Sequence, residues 1–242
     1  MLSGSVARYG PAWGVRTPAL PQVWTLNQLH VADFMAVAEV LALSDEHQEG
    51  LSFRHVEISD EEAAAGFCEH ARAQAWTADC EVLMVLAPGP VASDAEGIVT
   101  LDEEQAMGLM RRWLAEDFPA MSDTVRSQLE EYSIGEGRLW GEQVLGRLGA
   151  DGRPAAMTKL RLSSDTAWLE DVYTVAEERR RGHARRLVAR AAAQAAIGIR
   201  QSATGLVFIV ADDNDWPKHL YADIGFRPVG RVWTFHKELA SP

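Results

Sequence analysis

The chain has 242 residues, of which 47% are hydrophobic and 24% charged, and a formal net charge of −12. That is enough chain for one large core or two small ones, and its acidity argues against nucleic acid, whose phosphates call for a basic face. No apolar stretch approaches the ~20 residues that span a bilayer, no secretory pattern opens the chain, and the two cysteines, Cys68 and Cys80, lack zinc spacing, so a cytoplasmic protein with no metal, no membrane partner and no disulfide framework is expected.

Residues 1–20 are punctuated by Pro and Gly and read as an extended arm. The pattern then predicts a strand at 23–31, a helix at 33–43, a strand at 51–59, a helix at 60–75 and a strand at 81–87. Pro88–Gly97, rich in breakers and acids, reads as a linker. Beyond it come a short strand at 98–101, helices at 102–115 and 123–132, and strands at 138–146 and 154–163 flanking the hairpin turn Gly149-Ala150-Asp151-Gly152. A strand at 167–175, an Ala-rich helix at 184–198, a strand at 205–211, a helix at 216–223 and a strand at 229–237 complete the reading. The class is α/β in the mixed α+β sense: a central mixed sheet flanked by helices, with residues 1–96 an additional βαβαβ subdomain and 97–242 the main domain. VWTLNQLHV, LSFRHVEISDEE and ARAQAWTADCEVLMVL parallel AWLEDVYTV, LVFIVADDND and YADIGFRPVGRVWTF in order and kind, which suggests a degenerate internal half-repeat.

The charge is uneven. Residues 1–96 hold 4 Arg and no Lys against 14 acids, whereas Arg179, Arg180, Arg181, Arg185 and Arg186 crowd one short segment. There the β-rich run Asp171-Val172-Tyr173-Thr174-Val175 leads into a turn containing Gly182 and then a helix. A helix start offers unpaired N–H groups and partial positive charge, and a glycine lets a ligand approach the backbone. With arginines around it, such a place suits a pyrophosphate. The chain has neither a Walker pattern nor GxGxxG.

Arg179-x-x-Gly182-x-Ala184, with a strand before it and a long helix after it, resembles the [RQ]-x-x-G-x-[GA] motif of the GNAT superfamily of N-acetyltransferases. Asn214, Tyr221, Gly225 and Phe226 follow at the family's later spacing, and the resemblance covers roughly residues 97–240. It implies that strand 167–175 splays from strand 205–211 and holds the pantetheine arm of acetyl-CoA on the backbone of Val172, Tyr173 and Thr174. The pyrophosphate would rest on the amides of Arg181, Gly182, His183 and Ala184, with Arg179 and Arg180 alongside. Asn214 would border the pantetheine, and the Tyr221 hydroxyl would lie near the sulfur.

Acetyl transfer needs a base for the amine, stabilisation of the carbonyl oxygen and a proton for the departing thiolate. Tyr221 is the natural acid and the Tyr173 N–H a natural oxyanion donor. Glu170 or Asp171 would be the base, on opposite faces of their strand because successive residues alternate, so that only one faces the cleft, with Glu170 slightly ahead; a salt bridge to a neighbouring strand is the alternative use of either. His183 is expected to offer only its amide, and Cys68 to be a buried thiol. The expected function is direct acetyl transfer, in a ternary complex, from acetyl-CoA to a small-molecule amine. The alternative is a non-catalytic acyl-CoA-binding regulatory or interaction module. A homodimer through a sheet edge is compatible with both.

Overall fold

The structure is a computed structural model that describes residues 4–199 and 205–239. In chain order the first elements are β1 (Ser5–Tyr9), β2 (Ala12–Arg16), β3 (Leu29–Val31), α1 (Val37–His47), β4 (Phe53–Ile58), α2 (Glu61–Ala73), β5 (Thr77–Leu86) and β6 (Ile98–Thr100). They are followed by α3 (Glu103–Asp117), α4 (Asp123–Trp140), β7 (Gln143–Leu148), β8 (Pro154–Leu162), β9 (Thr166–Thr174), α5 (His183–Gly198), β10 (Leu206–Asp212), α6 (Pro217–Ile224) and β11 (Phe226–Glu238). The chain divides into two compact units: Met1–Val82 with Asp212–Asn214 and Gly230–Pro242, and Leu83–Ala211 with Asp215–Val229. No helix of the described residues is long and apolar enough to cross a membrane.

In the first unit the strands run β1-β2-β3-β4 and then the later part of β11. β3 and β4 are parallel, and β4 meets β11 antiparallel from Phe53↔Glu238 to Ile58↔Trp233. Leu29, Val31, Val56, Ile58, Phe67 and Phe235 form its core with α1 and α2. Asp60 caps α2 by accepting from the Ala63 N–H at 2.8 Å.

The expected arm of residues 1–20 is instead a hairpin over residues 5–16, with residues 1–3 outside the described residues. Gly10 and Pro11 form its two-residue loop, Gly10 at φ +66°, so the residues read as breakers are what turns the chain. The strand expected at 23–31 is shortened to β3, because Trp24–Leu26 coil into a 3-10 turn, and the buried Asn27 side chain donates to the Leu20 and Val23 carbonyls just before it.

The second unit orders β10-β9-β8-β7-β6, with β10 and β9 parallel and the rest antiparallel. β8 is buried from Ala155 to Arg161, the signature of a strand covered on both faces. One cover is α3 and α4, with Met107, Leu109, Met110 and Leu114 packed on Met157 and Tyr173. The other is α5, whose buried stripe includes Leu187, Val188, Ala191, Ala192 and Ala195. An Asp102–Gln105 capping box starts α3. The helix expected at 123–132 runs on to Trp140 through Gly135 and Gly137 and ends at Gly141 in the left-handed conformation. The Gly149–Gly152 turn forms as expected, with the Gly152 N–H bonding the Gly149 carbonyl.

Candidate active site

Parallel pairing of β9 with β10 stops early. It runs from Thr166↔Leu206 to Leu169↔Ile209, while β9 continues to Thr174. The β10-facing edge of the last five β9 residues therefore has no strand partner in the register. β8 does follow β9 further, reaching Tyr173↔Met157 and Thr174↔Ala156. A cavity of about 730 Å³ opens at this end. Its lining includes Val172, Tyr173 and Thr174 of β9, Arg179, Arg180, Gly182, His183 and Ala184 at the turn into α5, and Tyr221 of α6. These are most of the residues singled out from the sequence. Arg181, Asn214, Glu170 and Asp171 are not in the lining.

The turn has the conformation that anion binding requires. Arg180 and Gly182 take φ +63° and +79°, and no side chain caps α5. The first helical bond runs from the Arg186 N–H to the Gly182 carbonyl, so the amides of His183, Ala184 and Arg185 point out of the helix end.

The arginines divide by partner. Arg179 donates through Nε to the Thr174 carbonyl at 3.0 Å and pairs with Glu116, which ties the end of β9 to α3. Arg181 pairs with Glu178, Arg185 with Asp223 and Arg186 with Asp94. Within this cluster of described residues, Arg180 alone has no carboxylate partner, and it lines the cavity. His183 turns its ring inward: Nδ1 accepts from Arg147 Nε at 3.1 Å and Nε2 lies 3.2 Å from Glu178. Both ring nitrogens are thus engaged within the protein.

Tyr221 is 5% exposed, and its hydroxyl makes no hydrogen bond among the described residues. Burial, with the Asp215 carboxylate adding, pushes its phenol well above the ordinary range, so it stays protonated at neutral pH. Tyr173 packs its ring in the α3 core and donates its hydroxyl to Glu116 at 3.0 Å; burial and that acceptor push it up to about 12.

The expectation for Glu170 and Asp171 needs correction. Asp171 takes φ +50°, and the β8–β9 register slips between Met157 and Lys159, so Asp171 and Val172 together oppose Thr158. This is a β-bulge, and it cancels the alternation that would have sent the two carboxylates to opposite faces. Both instead meet cations two residues apart on β8. Asp171 lies 2.8 Å from Lys159 Nζ, and Glu170 lies 2.7 Å from Arg161 Nη1, a distance that permits attraction although neither atom is aligned for a hydrogen bond. The salt bridge to a neighbouring strand is thus observed for both. Arg161 also reaches Glu142 at 2.7 Å and Glu136 at 2.8 Å. Burial pushes Glu170 upward, the negative charge of Asp171 adds, and Arg161 only partly opposes.

Reasoning from sequence did not single out Asp117 and Leu220, which line the cavity beside Trp113 and Trp216. Trp216 was legible as an aromatic beside Pro217 after the Asn214 position. Pro217 occupies the first helical position after Trp216, where proline's missing N–H costs nothing. Trp113 and Asp117 carry no local signal, since only the tertiary fold brings them to the turn. Cys68 and Cys80 are half-buried free thiols held above their ordinary range by burial.

The profile of the acetyltransferase (GNAT) family matches residues 105–226. Among solved structures, a conserved protein of unknown function from Staphylococcus epidermidis superposes with TM-score 0.69 at 16% identity, covering 99% of this chain and 96% of its own. A GCN5-related N-acetyltransferase from Kribbella flavida does so with 0.63 at 16% identity, covering 99% and 91%. A tandem GNAT protein from the clavulanic acid biosynthesis pathway gives 0.53 at 14% identity, covering 96% and 83%. At these identities the likeness is one of fold. No curated protein matches the chain.

Proposed function

The chain belongs to the acetyltransferase (GNAT) family, and from that premise we propose that the β9–α5 cavity binds acetyl-CoA and that the acetyl group passes directly to a small-molecule amine. The observation that carries this reading is the early end of β9–β10 pairing beside an uncapped helix start. The open edge of Val172–Thr174 suits an extended amide-bearing arm, which can add to it as a strand would. The amides of Gly182–Ala184 suit the pyrophosphate, with Arg180 the cation free to join them.

The chemistry follows from the same residues. An amine must lose a proton before it attacks a thioester, and a carboxyl raised by burial accepts a proton near neutral pH. Neither Glu170 nor Asp171 lines the cavity, so either would act through water; Glu170, raised by burial, fits that role better than Asp171, which is 2.8 Å from the ammonium of Lys159. Attack puts negative charge on the carbonyl oxygen, where a backbone N–H of the unpaired β9 edge can stabilise it. Tyr221, buried, protonated and without a competing acceptor, can give its proton to the leaving thiolate.

Calorimetry with acetyl-CoA tests the reading. Gly182 has φ +79°, where any side chain is strained, so Gly182→Val is expected to abolish binding. Unchanged affinity would remove the cleft from consideration. Thiol release from acetyl-CoA across a panel of amines then separates a transferase from a module that only binds the cofactor.

A further inference from the structure

A second cavity, of about 340 Å³, lies in the same unit between the first half of α3 and the second half of α4. It shares no lining residue with the β9–α5 cleft. Leu101, Met107, Met110, Ile134 and Val144 give it apolar walls, and Ser133, Glu142 and Lys159 bring polar atoms to it. Its size falls at the low end of the range for small-ligand pockets, roughly 300–1,000 Å³.

The polar side is a built one. The Glu142 side chain is 6% exposed, and its Oε2 accepts from Arg161 Nε at 2.7 Å. Its Oε1 has Lys159 Nζ at 3.9 Å, beyond hydrogen-bond length. Lys159 is satisfied elsewhere, donating to Ser133 Oγ at 2.9 Å and pairing with Asp171 at 2.8 Å. Oε1 therefore keeps the capacity to accept a hydrogen bond from a group that enters the cavity. Gly137 keeps that oxygen uncovered: a Cβ at this position would stand 3.2 Å from Glu142 Oε1. Glycine is otherwise a poor choice inside a helix such as α4.

Charge selects the ligand. Around this floor the carboxylates of Glu136, Glu142 and Asp171 face the two cations Lys159 and Arg161, while burial holds Glu170 protonated and Arg138, also in the lining, is paired with Glu103. An entering ammonium group offsets the excess, whereas an anion adds to it. We propose that this cavity is a second binding site, taking a small amphiphilic amine whose ammonium group donates to Glu142 Oε1 and whose hydrocarbon lies against Met107 and Met110. It does not depend on the acyl-transfer reading, and acetyl-CoA plays no part in its test.

The test follows the methionine methyl signals of the full chain, labelled with ¹³C and assigned through Met107→Leu and Met110→Leu, during titration with cyclohexylmethylamine. Cyclohexylmethanol and cyclohexanecarboxylate serve as the neutral and anionic counterparts. The Met107 and Met110 signals are expected to shift saturably with the amine, at least tenfold more tightly than with the alcohol, and not at all with the carboxylate. Gly137→Ala should weaken the amine at least tenfold by crowding Oε1, and Ala106→Phe should abolish binding by filling the space. Equal affinity for amine and alcohol overturns the proposal, as do unmoved Met107 and Met110 signals. Undiminished binding in Gly137→Ala overturns it as well, and that variant decides the matter if Ala106→Phe does not fold.

Discussion

Tyr221 lines the cavity, its hydroxyl has no hydrogen-bond partner among the described residues, and burial raises the cost of its anion. A phenol in that state donates a proton readily only when a stronger base is created beside it, as when a thiolate departs. Tyr221→Phe is therefore expected to lower kcat by about 10²–10⁴-fold while leaving the acetyl-CoA Kd unchanged, checked by steady-state kinetics beside calorimetry. Glu170 works in the opposite sense. Because burial raises its pKa, it stays protonated, and inactive as a base, through the acidic range and gains its charge only as pH climbs toward and past neutrality. The acid limb of the kcat/KM profile should accordingly lie far above the ordinary carboxylate range, and Glu170→Gln should erase that limb. A limb that survives in the variant assigns the base to another group. Arg180 supplies a third test at this scale: Arg180→Ala should weaken acetyl-CoA and flatten the salt dependence of its binding, whereas Arg185→Ala, which breaks a pair with Asp223, should do so less.

Among the elements, the bulge in β9 matters most for the site. It keeps Val172–Thr174 on the cavity while turning both preceding carboxylates onto the Lys159 and Arg161 side. Lys159→Met would leave Asp171 without its nearest cation, in a network where Lys159 is only 5% exposed; a loss of about 3–5 kcal/mol in urea unfolding is expected. Sequence alone could not place this bulge, since alternation is the default for a strand and nothing in Glu170-Asp171-Val172 signals a break in it. The turn after β9 was legible because its chemistry is local: arginines, one glycine and an Ala-rich helix all fall within one short segment. The hairpin of β1 and β2 was hidden because Gly10-Pro11 serves equally to interrupt a chain or to reverse it. The length of α4 was hidden because Gly135 and Gly137 lower its propensity, and packing of Ile134 on the α3 core outweighs that deficit.

At the scale of the whole molecule, the element order β3-α1-β4-α2-β5 in one part of the chain matches β9-α5-β10-α6-β11 in the other, with a parallel pair leading each. The two pairs end differently. β3 stays joined to β4 from Leu29↔Val56 to Val31↔Ile58, and the Ser59 N–H adds a further bond to the Val31 carbonyl. The opening that suits a cofactor exists in the second pair and not in the first. The first unit carries a different property, in the buried His55. Burial, with His236 3.3 Å away adding and Glu57 opposing, pushes His55 down to about 4 from an ordinary 6.5. A lowered folded-state pKa means the unfolded chain takes up its proton first, so this contribution to stability is complete above pH 6.5 and drains away as pH falls toward 4. The loss should amount to about 3 kcal/mol, and urea unfolding at neutral and acid pH should show His55→Leu with a correspondingly shallower acid dependence.

The pairing of residues 53–58 with residues 233–238 has a bearing on biosynthesis. When β4 is translated, the strand that completes its flank is still about 175 codons away, so that edge must wait, open to stray strands, until the later part of β11 is made. A premature stop between Tyr221 and Trp233 would spare every residue lining the β9–α5 cavity and still deprive β4 of its closing strand.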